Sequence, residues 1–195
     1  GMMLIVNEDG PVSAAGAFTT NLIKGAPLLV TMEHVKNGEL AAVVANSGSA
    51  NAYTGKRGLR DARRMARLVA RLLKLRTDDI AVASTGLIGL RLPMRKIETG
   101  IRAAVEELTN SREASLNAVK AIMTTDTTPK EIAVRVDLGD GTPVTIAGIA
   151  KGAGMIHPNL QTATMLAFIV TDAAVSPAWS PDGSRFAFES KRVRN

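Results

Sequence analysis

A threonine set between a flexible approach and a buried run can cut its own chain, and the stretch KGAGMIHPNLQTATMLAFIVTDA (151–173) offers one at Thr164. Its hydroxyl can attack the carbonyl of Ala163, turning the peptide bond into an ester that water then opens to release a chain beginning at Thr164. The freed α-amine, with an ordinary pKa of ~7.7–8.0, can take the proton of the hydroxyl beside it. Small Ala163 and the glycines upstream admit the tight backbone such a shift needs. There is no G-x-S-x-G turn and no evident Ser-His-Asp spacing to suggest a different hydroxyl nucleophile. The bland alternative is that Thr164 merely caps a helix.

Other segments have an unusual density of small and hydroxyl residues. NSGSANAYTG (46–55) lies between a strand and a helix. ASTGLIG (83–89) puts Thr85 and Gly86 directly after a strand, where backbone N–H groups can face an anion. AIMTTDTTPK (121–130) ends a helix in threonines around Asp126. Taken singly, each reads as turn and cap chemistry.

The elements that must position these segments follow from periodicity. Alternation and β-branched content mark strands at APLLVT (26–31), LAAVVA (40–45) and DIAVAS (79–84). EIAVRVDL and TPVTIAGIA flank the turn Gly139-Asp140-Gly141. The first arm carries Ile132, Val134, Val136 and Leu138 on one face and Glu131, Arg135 and Asp137 on the other, a hairpin with a dry and a wet side. RDARRMARLVARLLKL is an amphipathic helix with Met65, Leu68, Val69, Leu72 and Leu73 in one stripe. A second helix carries Ile97, Ile101, Val105 and Leu108. A third opens with Asn110 and Glu113 at capping-box spacing and buries Leu116, Val119 and Ile122. A fourth is expected from about Thr164 to Ala174. Mixed strands and helices place the chain in the α/β or α+β class.

Composition narrows the function classes. The chain has 195 residues, 46% of them apolar, no cysteine and only two histidines, His34 and His157, so thiolate chemistry is excluded and a His-rich metal site is not expected. No apolar run nears ~20 residues and no secretory leader is apparent, so a cytoplasmic globular protein is expected, off the membrane. Gly1-Met2-Met3 reads as an artificial addition ahead of a natural start. The formal charge of +6 gathers on Arg60, Arg63, Arg64, Arg67, Arg71 and Lys74 of one helix. With one Trp, one Tyr and four Phe there are few stacking platforms, so that stripe reads as a solvated face rather than a nucleic-acid site.

In their order along the chain, AAGAFTTN (14–21), NSGSANAYTG, STGLIG, AIMTTDT, GIAKGAGMIHPN and ATMLAFIVTDA resemble the ornithine acetyltransferase family of arginine biosynthesis, also called glutamate N-acetyltransferase. The resemblance runs from about Leu4 to Ala178. It implies a layered α/β sandwich with a mixed sheet, and self-cleavage between Ala163 and Thr164. It further implies that Thr164 carries acetyl from N-acetylornithine to glutamate, with acetyl-CoA a donor for some members and no resident cofactor or metal. Thr85 and Gly86 match the family's oxyanion hole, and Thr124 and Lys151 its substrate-contacting positions, alongside Thr164. A lysine suits an amino-acid carboxylate as a compact point charge. A second chain of the same family is the implied partner.

The chain departs from the family pattern in PNLQTATML, where Gln161 and Thr162 are additional, and in the ending WSPDGSRFAFESKRVRN. A domain over 1–178 with a divergent tail at 179–195 is therefore expected. The tail has a Pro-Asp-Gly turn and a short strand-like run, and it resembles one blade segment of a TolB-like propeller. The departures leave two other readings open: a truncated, non-catalytic homologue that binds or assembles, and an N-terminal-nucleophile amidohydrolase that shares the acyl-enzyme step.

Overall fold

The structure, a computed structural model, describes residues 1–137, 143–153, 164–173, 175–179 and 186–190, the last two segments by their backbone. It is a mixed α/β assembly, as the sequence indicates. The turn at Gly139-Asp140-Gly141, together with Leu138, His157, Gln161, Thr162 and Ala163, lies outside the described residues.

In chain order the elements are β1 (Met2–Val6), β2 (Val12–Ser13), α1 (Ala26–His34), β3 (Glu39–Leu40), β4 (Ala42–Ser49), α2 (Gly55–Leu73) and β5 (Ile80–Leu87). There follow α3 (Met94–Glu106), α4 (Arg112–Ile122), β6 (Lys130–Asp137), β7 (Pro143–Lys151), β8 (Leu166–Thr171), β9 (Val175–Trp179) and β10 (Phe186–Ser190). One sheet runs β1-β4-β5, with β1 antiparallel to β4 and β4 parallel to β5 across the α2 crossover. A second runs β6-β7-β8, antiparallel throughout. β2 pairs with β3, and β9 with β10. The run at 186–190 in the tail is thus a strand.

Register divides the first sheet into two apolar faces. Ala42, Val44, Ile80 and Val82 point to a core shared with Val30, Ala62, Met65, Ala66, Val69, Ile97 and Ile101 from α1, α2 and α3. Met3, Ala45 and Ala83 point the other way, to a smaller core closed by Ile122 of α4 and Leu166 of β8. A parallel strand pair covered on both faces needs apolar residues at successive positions, which is why DIAVAS lacks polar alternation. Met2 and Met3 belong to β1, paired with Asn46 and Ala45. On α2 the apolar stripe turns inward, while Arg63 pairs with Glu33 at 2.9 Å and Arg64 with Glu98.

Four expectations are corrected. APLLVT is helical: Pro27 lies in the first turn of α1, behind an extended Gly25, a helix start that the β-branched content masked. This helix covers the open edge of β5, with the Thr31 hydroxyl donating to Val82 O (2.7 Å) and accepting from Val82 N (2.8 Å). His34 Nδ1 meets Ile80 O at 2.8 Å. Two side chains one turn apart thus stand in for a neighbouring strand.

The helix expected from Thr164 is instead β8, paired antiparallel with β7 from Lys151↔Leu166 to Ile146↔Thr171. The β-branched and aromatic residues of LAFIVT favour that pleated partner. The cap of α4 is Ser111, whose hydroxyl accepts from Ala114 N at 3.1 Å, one residue beyond Asn110. Finally, the expected dry side of β6 faces outward among the described residues, with Ile132 68% exposed. The opposite face, carrying Ile149 and Phe168 from β7 and β8, packs toward α4.

Candidate functional site

Lys151 ends β7 on the face that packs against α4 and is only 4% exposed. Its ammonium donates to the Thr124 hydroxyl at 2.8 Å and to the Thr85 hydroxyl at 3.0 Å, and it lies 3.5 Å from the carbonyl oxygen of Thr164. Four of the expected site residues, with Thr85 lying 66 positions before Lys151, therefore meet around one nitrogen. Ammonium has donors and no acceptor, so each threonine hydroxyl must accept from it. Each then keeps its own proton for another oxygen, such as one that gains negative charge during acyl transfer.

The first sheet supplies Thr85. It is 1% exposed on the Ala45–Ala83 face of β5 and lies in register with Ser47. The next pair in register is Gly48↔Gly86, with φ of +109° and +128°. A Cβ on Gly86 would lie 2.4 Å from the carbonyl carbon of Gly48, so glycine is required for the two strands to approach here. Beneath this end of the sheet, the Ser84 hydroxyl donates to Asn46 Oδ1 at 2.6 Å and Asn46 Nδ2 donates to Ser49 O at 3.1 Å.

α4 supplies Thr124, two residues past its end. The Ser47 hydroxyl donates to Ala121 O at 2.7 Å, tying the helix end to β4, while Ile122 fills the core next to Met3 and Leu166. The second sheet supplies Lys151 and, through the Lys151↔Leu166 pairing, the backbone of Thr164. Of the expected residues, only Ala163 is not placed.

The electrostatics involve a carboxylate that the sequence did not single out. The Asp126 side chain is 1% exposed and accepts from Lys130 Nζ at 2.6 Å, Gly152 N at 2.8 Å and Thr124 N at 3.3 Å. Burial pushes its pKa up, but the hydrogen bonds from Lys130, Gly152 and Thr124 outweigh it and hold the group at about 2. For Lys151, burial is the largest influence and lowers the pKa; nearby Asp126 raises it and Lys130 lowers it. The signal for Asp126 was its position inside TTDTTPK, four residues before Lys130, but that spacing reads equally well as a solvated turn. The Lys151 donors engage two hydroxyls and a carbonyl here.

Among the described residues no helix is long and apolar enough to cross a membrane. A separate cavity of about 210 Å³, lined by Glu33, His34, Lys36, Asn37, Arg76 and Asp78, contains none of the residues gathered around Lys151.

Comparison with known proteins identifies the family of the chain. Residues 1–188 match the ArgJ family. The chain is 55% identical over 168 residues to the arginine biosynthesis bifunctional protein ArgJ of Symbiobacterium thermophilum, covering 86% of this chain and 40% of that relative. It is 46% identical over 189 residues to the glutamate N-acetyltransferase of Methanothermobacter thermautotrophicus, covering 97% of this chain and 46% of that relative. The chain thus spans less than half the length of these curated relatives. Its fold matches the crystal structure of the arginine biosynthesis bifunctional protein argJ from Bacillus halodurans with a TM-score of 0.73 at 42% identity, over 84% of this chain and 81% of that one. It matches ornithine acetyltransferase complexed with ornithine from Mycobacterium tuberculosis with a TM-score of 0.75 at 40% identity, over 84% and 82%. The match over nearly the whole sequence, with similar proteins of the same name and fold, establishes that the chain belongs to the ArgJ family.

Proposed function

We propose that this chain carries the acyl-transfer centre of a glutamate N-acetyltransferase, with Thr164 as the nucleophile after cleavage from Ala163. The observation that supports it most is the meeting of Thr85, Thr124 and the Thr164 backbone at the Lys151 ammonium. In the maturation step the Thr164 hydroxyl adds to the Ala163 carbonyl, the C–N bond breaks, and the ester left behind is hydrolysed. The new α-amine then serves as the base.

In turnover the hydroxyl attacks the acetyl carbonyl of N-acetylornithine. The oxyanion is held by the Thr85 hydroxyl and the Gly86 N–H, and ornithine leaves with the proton it needs. The amine of glutamate takes the acetyl from Thr164, restoring the alcohol. Thr124 and Lys151 contact substrate, and acetyl-CoA is an alternative donor to the same hydroxyl. No resident cofactor or metal is called for. A second chain of the same family completes the active assembly.

The experiment is an acetyl-transfer assay from N-acetylornithine to glutamate, run on the protein as its own gene produces it. Mass analysis of the denatured sample accompanies it. A fragment starting at Thr164 together with N-acetylglutamate formation supports the proposal. Release of acetate without acetylglutamate indicates the amidohydrolase alternative. An intact chain with no transfer leaves the non-catalytic assembly alternative, which is favoured by the exposed apolar face at Ile132, Val134 and Ile169.

A further inference from the structure

We propose that Asp126 is the positioning residue of this site: its buried carboxylate fixes the backbone on both sides of the Lys151–Thr124 contact and sets a negative charge opposite the Lys151 ammonium. The inference rests on the acyl-transfer reading of the site. Its geometric basis is the set of donors that meet on one side chain. Gly152, bonded to Asp126 Oδ1, directly follows Lys151; Thr124, whose N–H is bonded to Oδ2, bears the hydroxyl that Lys151 reaches at 2.8 Å. The end of β7 and the segment after α4 meet again where Lys130 pairs with Ala150, and beyond that pair this carboxylate bonds both backbones.

Such a group is not needed merely to fill space. A carboxylate that is 1% exposed is costly to bury unless its oxygens are all engaged, and here Lys130 supplies the neutralising cation on the solvent side. Lys130 itself is 43% exposed and can move away, whereas Gly152 and Thr124 hold the carboxylate through main-chain N–H groups. Among the described residues the charged groups acting on Lys151 are Asp126 and Lys130, with opposite effects. Among the described residues, β5 brings the Thr85 hydroxyl and the segment just before β8 the Thr164 carbonyl, neither of which titrates in this range. On top of the effect of burial, Asp126 and Lys130 thus bias in opposite directions how readily Lys151 stays an ammonium.

The test is a carbon NMR titration of the Lys151 Cε resonance in the unmodified protein, Asp126→Asn and Lys130→Gln. The expected result is a midpoint that moves to lower pH in Asp126→Asn and to higher pH in Lys130→Gln. Loosened packing alone would expose Lys151 to water in both variants and move both midpoints upward, so a rise in Asp126→Asn overturns the proposal. Unchanged midpoints in both variants overturn it as well. If Asp126→Asn does not fold, Lys130→Gln decides. A rise with the Gly152 and Thr124 amide shifts retained supports the proposal; no rise, or a rise with those shifts lost, overturns it. The titration requires no turnover, so its failure removes the role of Asp126 while leaving the acyl-transfer reading in place. Absence of acetyl transfer would remove that reading and leave the titration intact.

Discussion

Lys151 is a buried ammonium whose protons are directed at hydroxyl and carbonyl oxygens, and the consequences can be tested one side chain at a time. Thr85→Val removes both an acceptor for Lys151 and the proposed oxyanion donor while preserving side-chain shape. Acetyl transfer by this variant is expected to fall by about 10²–10³ in kcat, the usual cost of one such donor, with Thr85→Ser recovering most of it. Steady-state assays of the two variants check this. Asp126 has a stability signature of its own. Its folded pKa of about 2 lies below the ordinary 3.8, so the unfolded chain takes up the proton more readily. The stability it contributes is complete above the ordinary value and is lost as pH falls through the folded value. A series of denaturant melts over that acid range should show a loss on the order of 2 kcal/mol, flattened in Asp126→Asn. Thr85, Gly86, Thr124, Lys151 and Thr164 could be picked out because the segments that carry them, taken in order along the chain, resemble those of a known family; singly, each segment reads as turn and cap chemistry. Asp126 could not be assigned a role, because its importance comes from Gly152, an amide with no side chain to signal the contact.

Elements were less legible than residues wherever a partner from elsewhere in the chain decided the outcome. APLLVT has the composition of a strand, yet its Thr31, with His34 one turn on, bonds to the edge of β5 only if the segment is helical. Nothing within its own residues reveals that edge. Removing the hydroxyl in Thr31→Val leaves the Val82 N–H and carbonyl facing an apolar group. The expected cost is about 1–3 kcal/mol, measured as a lower denaturation midpoint. LAFIVT reads as part of a helix in isolation, and pairing with the edge of β7 makes it a strand. DIAVAS and the amphipathic α2 were read correctly because burial on both faces, or on one stripe, leaves a pattern inside the segment itself. The Gly48–Gly86 approach belongs to this scale as well. Gly86→Ala should destabilise by roughly 2–4 kcal/mol, from positive-φ strain together with overpacking against backbone, and calorimetry measures it.

For the molecule as a whole, the site exists because two sheets are joined through α4. Met3, Ala45 and Ala83 from one sheet and Leu166 from the other meet Ile122, and Thr124 is carried two residues beyond that joint. Ile122→Ala is expected to cost about 2–5 kcal/mol and to weaken acetyl transfer more than a comparable truncation among α1, α2 and α3, since only the former loosens the layer holding Lys151 against Thr85. Paired unfolding and activity measurements on Ile122→Ala and Val69→Ala make that comparison. Class and layering were readable from strand and helix periodicity. The joining of the layers was not, because it depends on which face of α4 meets which sheet. The central claim is that the alcohol of Thr164, freed from Ala163, carries the acetyl group. Mass analysis after incubating the protein with N-acetylornithine and no glutamate tests it most directly. One acetyl group on a chain that begins at Thr164, lost on adding glutamate, is the expected result; an acetyl group on any other residue, or transfer that persists in Thr164→Ala, contradicts it.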